Sequence, residues 1–119
     1  MELLWVVLAG GFGSVIRWFL AQFAGRLPWG ILIANTAASL IAGLAITALP
    51  SNIWGTILVS GVCGGLSTFS SFAAQTHALI ADKAYGRAAL NVALNFLLPF
   101  AAALTGAVIG VQLLSTLLK

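Results

Sequence analysis

Four apolar stretches divide the chain, each bounded by a short polar or proline-bearing turn. The first runs from about Leu3 to Phe23 and stops at Arg26-Leu27-Pro28; the second runs from about Gly30 to Leu49 and closes at Pro50-Ser51-Asn52. The third covers about Ile53 to Ile80 and ends before Asp82-Lys83, and the fourth runs from about Ala88 to Leu118 with Pro99 inside it. Each has at least the roughly 20 residues an α-helix needs to cross a bilayer. The pattern predicts an all-α membrane protein with four transmembrane helices, forming one unit over residues 1–119. The last two runs are long enough to require tilt, a break or a kink. Trp5, Trp18, Trp29 and Trp54 fall near predicted helix ends, where an amphipathic ring prefers the headgroup level. Small residues recur four apart at Gly10/Ser14, Ala34/Ala38, Ser39/Gly43 and Gly106/Gly110, the spacing of tightly packed membrane helices. The first run has Glu2 where a signal peptide carries basic residues, and Arg17 lies inside it, so it is read as a retained helix.

The third run is interrupted at its centre by Gly61-Val62-Cys63-Gly64-Gly65-Leu66-Ser67-Thr68-Phe69-Ser70-Ser71-Phe72. Paired glycines loosen a helical ladder. The hydroxyls of Ser67, Thr68, Ser70 and Ser71 can bond the backbone groups that a break frees. This predicts a helix broken at Gly64–Thr68. In hydrocarbon, such a break survives only where it is buried in protein or lines a wet cavity. Half-helix ends at the midplane bind ions, with N-termini facing anions and freed carbonyls facing cations. The competing reading is a packing face, with Gly61 and Gly65 forming a G-x-x-x-G contact. That reading accounts for the glycines but not for the hydroxyls and paired phenylalanines, so the ion-site reading is preferred.

Composition sharpens this picture. The 119 residues are 61% hydrophobic and only 6% charged, against about 25% charged in soluble domains. Five basic residues, scattered, make no nucleic-acid footprint. The single Cys63 excludes an intrachain disulfide and reads as a small packing residue. A unit this small is expected to need a partner subunit to enclose a site. Four spans put both termini on one side with the 50–52 loop, and that side carries only Lys119 as a basic side chain. Arg26, Lys83 and Arg87 lie on the other side, which the positive-inside rule places in the cytoplasm. So few charges also fit a dual-topology protein that inserts both ways.

Few side chains can carry chemistry. Arg17 is the only formal charge within a span, about 9 Å of helix from the Phe23 end. It either snorkels to the interface or stands at the mouth of an anion pathway, and the second reading is preferred. Asn35 follows the apolar run Ile31-Leu32-Ile33-Ala34 and is either glue between helices or a pore-lining donor. Asn91 and Asn95 lie one turn apart and form a second polar stripe. Phe69 and Phe72 share a helix face; they are either packing residues or rings whose positive edges line an anion path. His77 reads as an interfacial polar residue. The two carboxylates, Glu2 and Asp82, lie at an end and in a loop, whereas proton-coupled exporters depend on intramembrane carboxylates. No phosphate loop, nucleophile elbow or H-E-x-x-H is present, so nothing argues for an enzyme.

These residues together resemble the Fluc (CrcB) fluoride channels over nearly the whole chain. The central stretch is similar to that family's G-F-C-G-G-L/F-T-T-F-S-T-F signature. Gly10-Gly11-Phe12-Gly13-Ser14-Val15-Ile16-Arg17-Trp18 resembles its G-x-x-G-A-x-x-R-Y. Gly30-Ile31-Leu32-Ile33-Ala34-Asn35 through Ser39 and Gly43 resembles its G-T-L-x-V-N-x-x-G-S-x-x-x-G. The resemblance implies an antiparallel dimer of four-helix subunits with two narrow fluoride pores. It also implies a structural sodium ion at the dimer interface, held by the backbone carbonyls of Gly64 and Ser67. Phe69 and Phe72 would form the aromatic box, Asn35 a pore-lining amide and Arg17 the vestibule arginine, with Ser70, Ser71 and Asn95 along the polar track. The chain departs from the family at Gln75, where a glutamate is usual, and at Ile31, which replaces a threonine. Asn91 and Asn95 stand for a Y-x-x-x-S pair, and Pro99 takes the place of a polar residue one turn later.

The expected function is passive, selective export of cytoplasmic fluoride across the cell membrane, by a homodimer in the lipid bilayer. Both halves of the interface motif are present in this chain, which favours the homodimer over a heterodimer with a related subunit. Two other classes remain as alternatives: a small multidrug-type proton-coupled transporter, and a non-conducting membrane scaffold.

Overall fold

A computed structural model describes all of residues 1–119. Four apolar stretches long enough to span a membrane run through it, as the hydropathy pattern predicts. The first two are the continuous helices α1 (Glu2–Ala21) and α2 (Trp29–Ala48). The third is composite: α3 (Ile53–Thr56), a π-helical segment (Ile57–Cys63), the single turn α4 (Gly64–Leu66), and then α5 (Phe69–Ala81) after a break. The fourth, α6 (Tyr85–Leu117), is one helix of 33 residues that carries Pro99 within it. At a rise of about 1.5 Å per residue it is about 50 Å long, and it accounts for most of the 55 Å long axis of the molecule.

Local chemistry fixes the connections. Asn52 caps α3 by accepting the Trp54 N–H at 2.9 Å. Ser51 and Lys83 adopt left-handed φ angles of 57° and 56°, which close the turns before α3 and after α5. The tight turn at Lys83 lets α6 begin at Tyr85, three residues before the expected start. Arg87 donates from Nη1 to the Arg26 carbonyl at 3.3 Å and so ties the α1–α2 loop to the start of α6. The four tryptophans at the helix ends are all exposed, as expected for interfacial anchors.

Packing is thin and depends on small residues. Only 19 of 119 residues are buried, and Ile31 is the one large side chain that is fully enclosed. The central cluster is Ala34, Ala38, Cys63 and Leu66. Long apolar side chains instead cover the outer faces, the arrangement of a protein whose solvent is lipid. Helices α2 and α6 interlock through reciprocal glycines. A Cβ on Gly43 would stand 3.0 Å from Ala107 N, and one on Gly106 would stand 2.9 Å from Leu44 N.

The break differs from expectation in one respect. Gly64 and Gly65 are helical, Gly64 having φ −62° and ψ −37°, and no glycine in the chain uses a positive φ. The interruption is confined to Ser67 and Thr68, whose extended backbones have ψ of 150° and 123°. The physical role of Gly65 is close approach, not flexibility. A Cβ there would meet the Gly10 carbonyl and stand 3.0 Å from Ser14 N, so α1 lies directly on the turn before the break. Ser14 uses this proximity to donate from Oγ to the Gly65 carbonyl at 3.4 Å. Gly61 packs the same way, with a Cβ there reaching 2.7 Å from Ala9 Cβ. The G-x-x-x-G packing reading is therefore correct for Gly61 and Gly65, while the hydroxyls of Thr68, Ser70 and Ser71 serve the break.

Candidate functional site

The break begins where the ladder ends. Ser67 N–H still closes the last turn on the Cys63 carbonyl at 2.9 Å. The next N–H, that of Thr68, points instead to Oδ1 of Asn35 on α2, at 2.8 Å. The Gly64 carbonyl thereby loses its usual donor four residues on, and the Ser67 carbonyl accepts no bond from the chain. Thr68 then starts the next helix, its Oγ1 accepting the Ser71 N–H at 3.2 Å. Two helix ends of opposite polarity thus meet within two residues: carbonyls from α4 and the positive N-terminus of α5.

Asn35 closes a chain of amides around this point. Its Nδ2 donates to the Thr68 carbonyl at 3.3 Å and to Asn95 Oδ1 at 3.2 Å. Asn95 Nδ2 in turn donates to both the carbonyl and Oδ1 of Asn91, each at 3.0 Å. Asn91 Nδ2 donates to Thr76 Oγ1 at 2.9 Å, and Thr76 donates to the Phe72 carbonyl at 2.9 Å. Every link runs in the same donor-to-acceptor sense from Asn35 to α5. Asn91 is 2% exposed, so this network lies deep and leaves none of its own polar atoms unpaired.

Beside the network is a cavity of about 260 Å³ lined by Asn35, Ser39, Ser67, Thr68, Asn95 and Pro99, with Phe69, Phe72 and Phe96. The three rings follow one another. Phe69 and Phe72 are 5.7 Å apart at 57°, and Phe72 and Phe96 are 6.3 Å apart at 86°, an edge-to-face pair. Such geometry presents ring edges, which carry partial positive charge. No titratable side chain lines this space. The N-terminus of α5, a few polar groups and ring edges make a site that favours an anion without a fixed charge to trap it.

Residues 4–107 match the family described as "CrcB-like protein, Camphor Resistance (CrcB)". The chain belongs to the CrcB family. Among its relatives, a protein of Cronobacter sakazakii named fluoride-specific ion channel FluC is 43% identical over 100 residues, covering 76% of this chain and 78% of the relative. Proteins of the same name from Escherichia fergusonii and Escherichia coli O139:H28 are each 39% identical over 108 residues, covering 83% of this chain and 85% of theirs. The resemblance read from the motifs is therefore correct. This CrcB chain is a multi-pass integral protein of the cell membrane, and its relatives are named as ion channels, not enzymes.

Within the CrcB chain, four expected pore-lining residues, Asn35, Phe69, Phe72 and Asn95, come together at the cavity, as does Ser67. Ser70 and Ser71 lie in the first turn of α5, where each hydroxyl is 3.3 Å from Thr68 Oγ1; they build the break and do not line the cavity. Arg17 is half-buried on α1, and Gly64 is exposed beside the break; neither lines the cavity. Gln75 faces a separate, smaller space with Arg26 and Asp82 near the loops. Sequence reasoning did not single out Phe96 for this site; it marked Pro99 only as a departure from a polar position and Ser39 only as a motif and packing residue. Ser39 was readable, because it lies one turn after Asn35 on the same face of α2. Phe96 sits within an apolar run and carried no such signal.

Proposed function

We propose that this chain is a fluoride-selective passive channel that exports cytoplasmic fluoride, working as an antiparallel homodimer with two pores. The observation that carries the reading is the cavity at the Ser67–Thr68 break, where a helix N-terminus, amides and ring edges converge without a fixed charge. It occurs in a chain whose relatives are named fluoride-specific ion channels. Hydrogen fluoride entering from an acidic medium dissociates in the cytoplasm, and the trapped anion leaves down its electrochemical gradient. A passive path needs no carboxylate to couple protons, and the chain's two carboxylates, Glu2 and Asp82, sit at the start of α1 and the end of α5. This argues against the proton-coupled alternative.

What one subunit leaves open supports the dimer reading. Phe69 is 75% exposed, and Gly64 and Ser67 are exposed beside it, so one copy builds only part of a wall around the path. Among the carbonyls that the break releases, that of Gly64 has lost the Thr68 N–H and that of Ser67 accepts no backbone bond. Neutral oxygen donors suit a hard monovalent cation. Two carbonyls from each copy would hold sodium at the interface, where it would neutralise the facing carbonyl dipoles and fix the two breaks together. Antiparallel insertion fits the small charge asymmetry between the two sides.

The test is efflux from liposomes loaded with potassium fluoride, read with a fluoride electrode. Efflux that starts when valinomycin is added supports an electrogenic channel. Efflux that needs a proton gradient, or no efflux, overturns the proposal.

A further inference from the structure

The cavity contains several polar side chains, but almost all their donors are already used. Both hydrogens of Asn35 Nδ2 go to Thr68 and Asn95, and both hydrogens of Asn95 Nδ2 go to Asn91. Thr68 gives its N–H to Asn35, and its hydroxyl is engaged with Ser70 and Ser71. Two lining hydroxyls remain, those of Ser39 and Ser67. Ser67 is exposed on the face that carries the freed carbonyls, whereas Ser39 is half-buried within the cavity wall.

The hydroxyl of Ser39 also differs from those of four threonines in these helices. Thr47, Thr76, Thr105 and Thr116 each turn back to the carbonyl four residues earlier, at 2.8–2.9 Å. Ser39 makes no such bond, and its oxygen is not among the sealed, unpartnered ones, which belong to Thr36 and Gln75. The Ser39 hydroxyl therefore opens on the cavity with its hydrogen uncommitted. On α2 the backbone approach to α6 is closest at Gly43, one turn on.

We propose that Ser39 is the side-chain donor that meets the permeating fluoride in this cavity, and so a specificity-determining residue of the path. The inference rests on the fluoride-channel reading given above. Fluoride is small and holds its hydration strongly, so a narrow path must replace water with strong donors. Ring edges alone are weak, and the amides would have to leave their own network to help. A serine hydroxyl rotates freely about its C–O bond, so it can donate to the ion and release it without moving the helix.

Liposome flux of wild type, Ser39→Ala and Ser39→Thr, normalised to reconstituted protein and paired with melting of each variant in detergent, tests this. Loss of a hydrogen bond to a charged group predicts a flux about 10-fold or more lower for Ser39→Ala. Its melting temperature should match wild type, and Ser39→Thr should restore flux. Wild-type flux from Ser39→Ala overturns the assignment and leaves the channel reading standing. Flux that falls only together with melting temperature shows a packing role and also overturns it. A silent wild type removes the channel reading, and the Ser39 assignment with it.

Discussion

Asn35 can be an ion ligand or the residue that holds the break, and the structure makes the two roles separable. Three of its hydrogen bonds stay within the chain: 2.8 Å from Thr68 N, 3.3 Å to Thr68 O and 3.2 Å to Asn95 Oδ1. Asn35→Leu removes all three with a side chain of the same branching but greater bulk, and leaves both backbone groups of Thr68 unpaired. Side-chain bonds within membranes are worth about 0.6 kcal/mol on average and at most about 1.7, so the loss is about 2–5 kcal/mol. Asn35→Asp keeps an acceptor for the Thr68 N–H but sets an oxygen against the Thr68 carbonyl and Asn95 Oδ1. Protonating that acid restores one donor, not two. The expected order of melting temperature is wild type, then Asn35→Asp, then Asn35→Leu, with the last lower by on the order of 10 °C or more. Fluorescence-detected gel filtration after a temperature series measures this, and amide exchange at Thr68 should accelerate in parallel. If both variants melt with wild type while fluoride flux falls, Asn35 is an ion ligand and the clamp argument is wrong.

Phe69→Ile and Phe72→Ile should each lower fluoride flux more than dimer yield. Phe72, 8% exposed, should also lose about 1 kcal/mol or more of stability, while the exposed Phe69 should not. Flux per dimer decides the question, and variants that fail to assemble but conduct normally when they do would assign both rings to packing. A cation bound only by the assembled protein raises its apparent stability as cation concentration rises. Melting in sodium should therefore exceed melting in a large organic cation, and equal melting would count against the Gly64–Ser67 site.

The number, order and lipid-facing character of the helices were legible in the sequence, because apolar length alone sets them. The site was legible in part. Asn35, Phe69, Phe72 and Asn95 were readable as polar or aromatic interruptions of apolar runs, and all four reach the cavity. The break falls within the expected Gly64–Thr68 but does not include the glycines, because glycine in a sequence signals either backbone freedom or close approach. Only the contact of Gly65 with Gly10 and Ser14 distinguishes the two. The π-helical turn at Ile57–Cys63 had no local signal, since its residues are ordinary apolar and small ones. Asn91 and Asn95 could be seen as a stripe. That they take a hydrogen bond from Asn35 on one side and give one to Thr76 on the other depends on how α6 lies against α2 and α5, which no local spacing encodes.

The two paired glycines also divide their labour in a way that bears on assembly. Gly65 has no room for a Cβ within its own subunit, so contact with α1 explains it. Gly64, its neighbour, has ample room: a Cβ there would come no nearer than 3.8 Å to Val59 O. Its helical φ of −62° would suit any residue. Nothing inside the subunit asks for glycine at position 64. The residue is exposed, its carbonyl has lost the Thr68 N–H, and it lies beside the equally exposed Ser67. A bare backbone on an outer face makes physical sense where something must approach that backbone closely. In lipid, an unpaired carbonyl is costly, and acyl chains offer it nothing. A cation shared with a second copy would satisfy the carbonyl and require the absent side chain at once. In the proposed dimer the same face would also account for Phe69, whose ring is 75% exposed on a single copy.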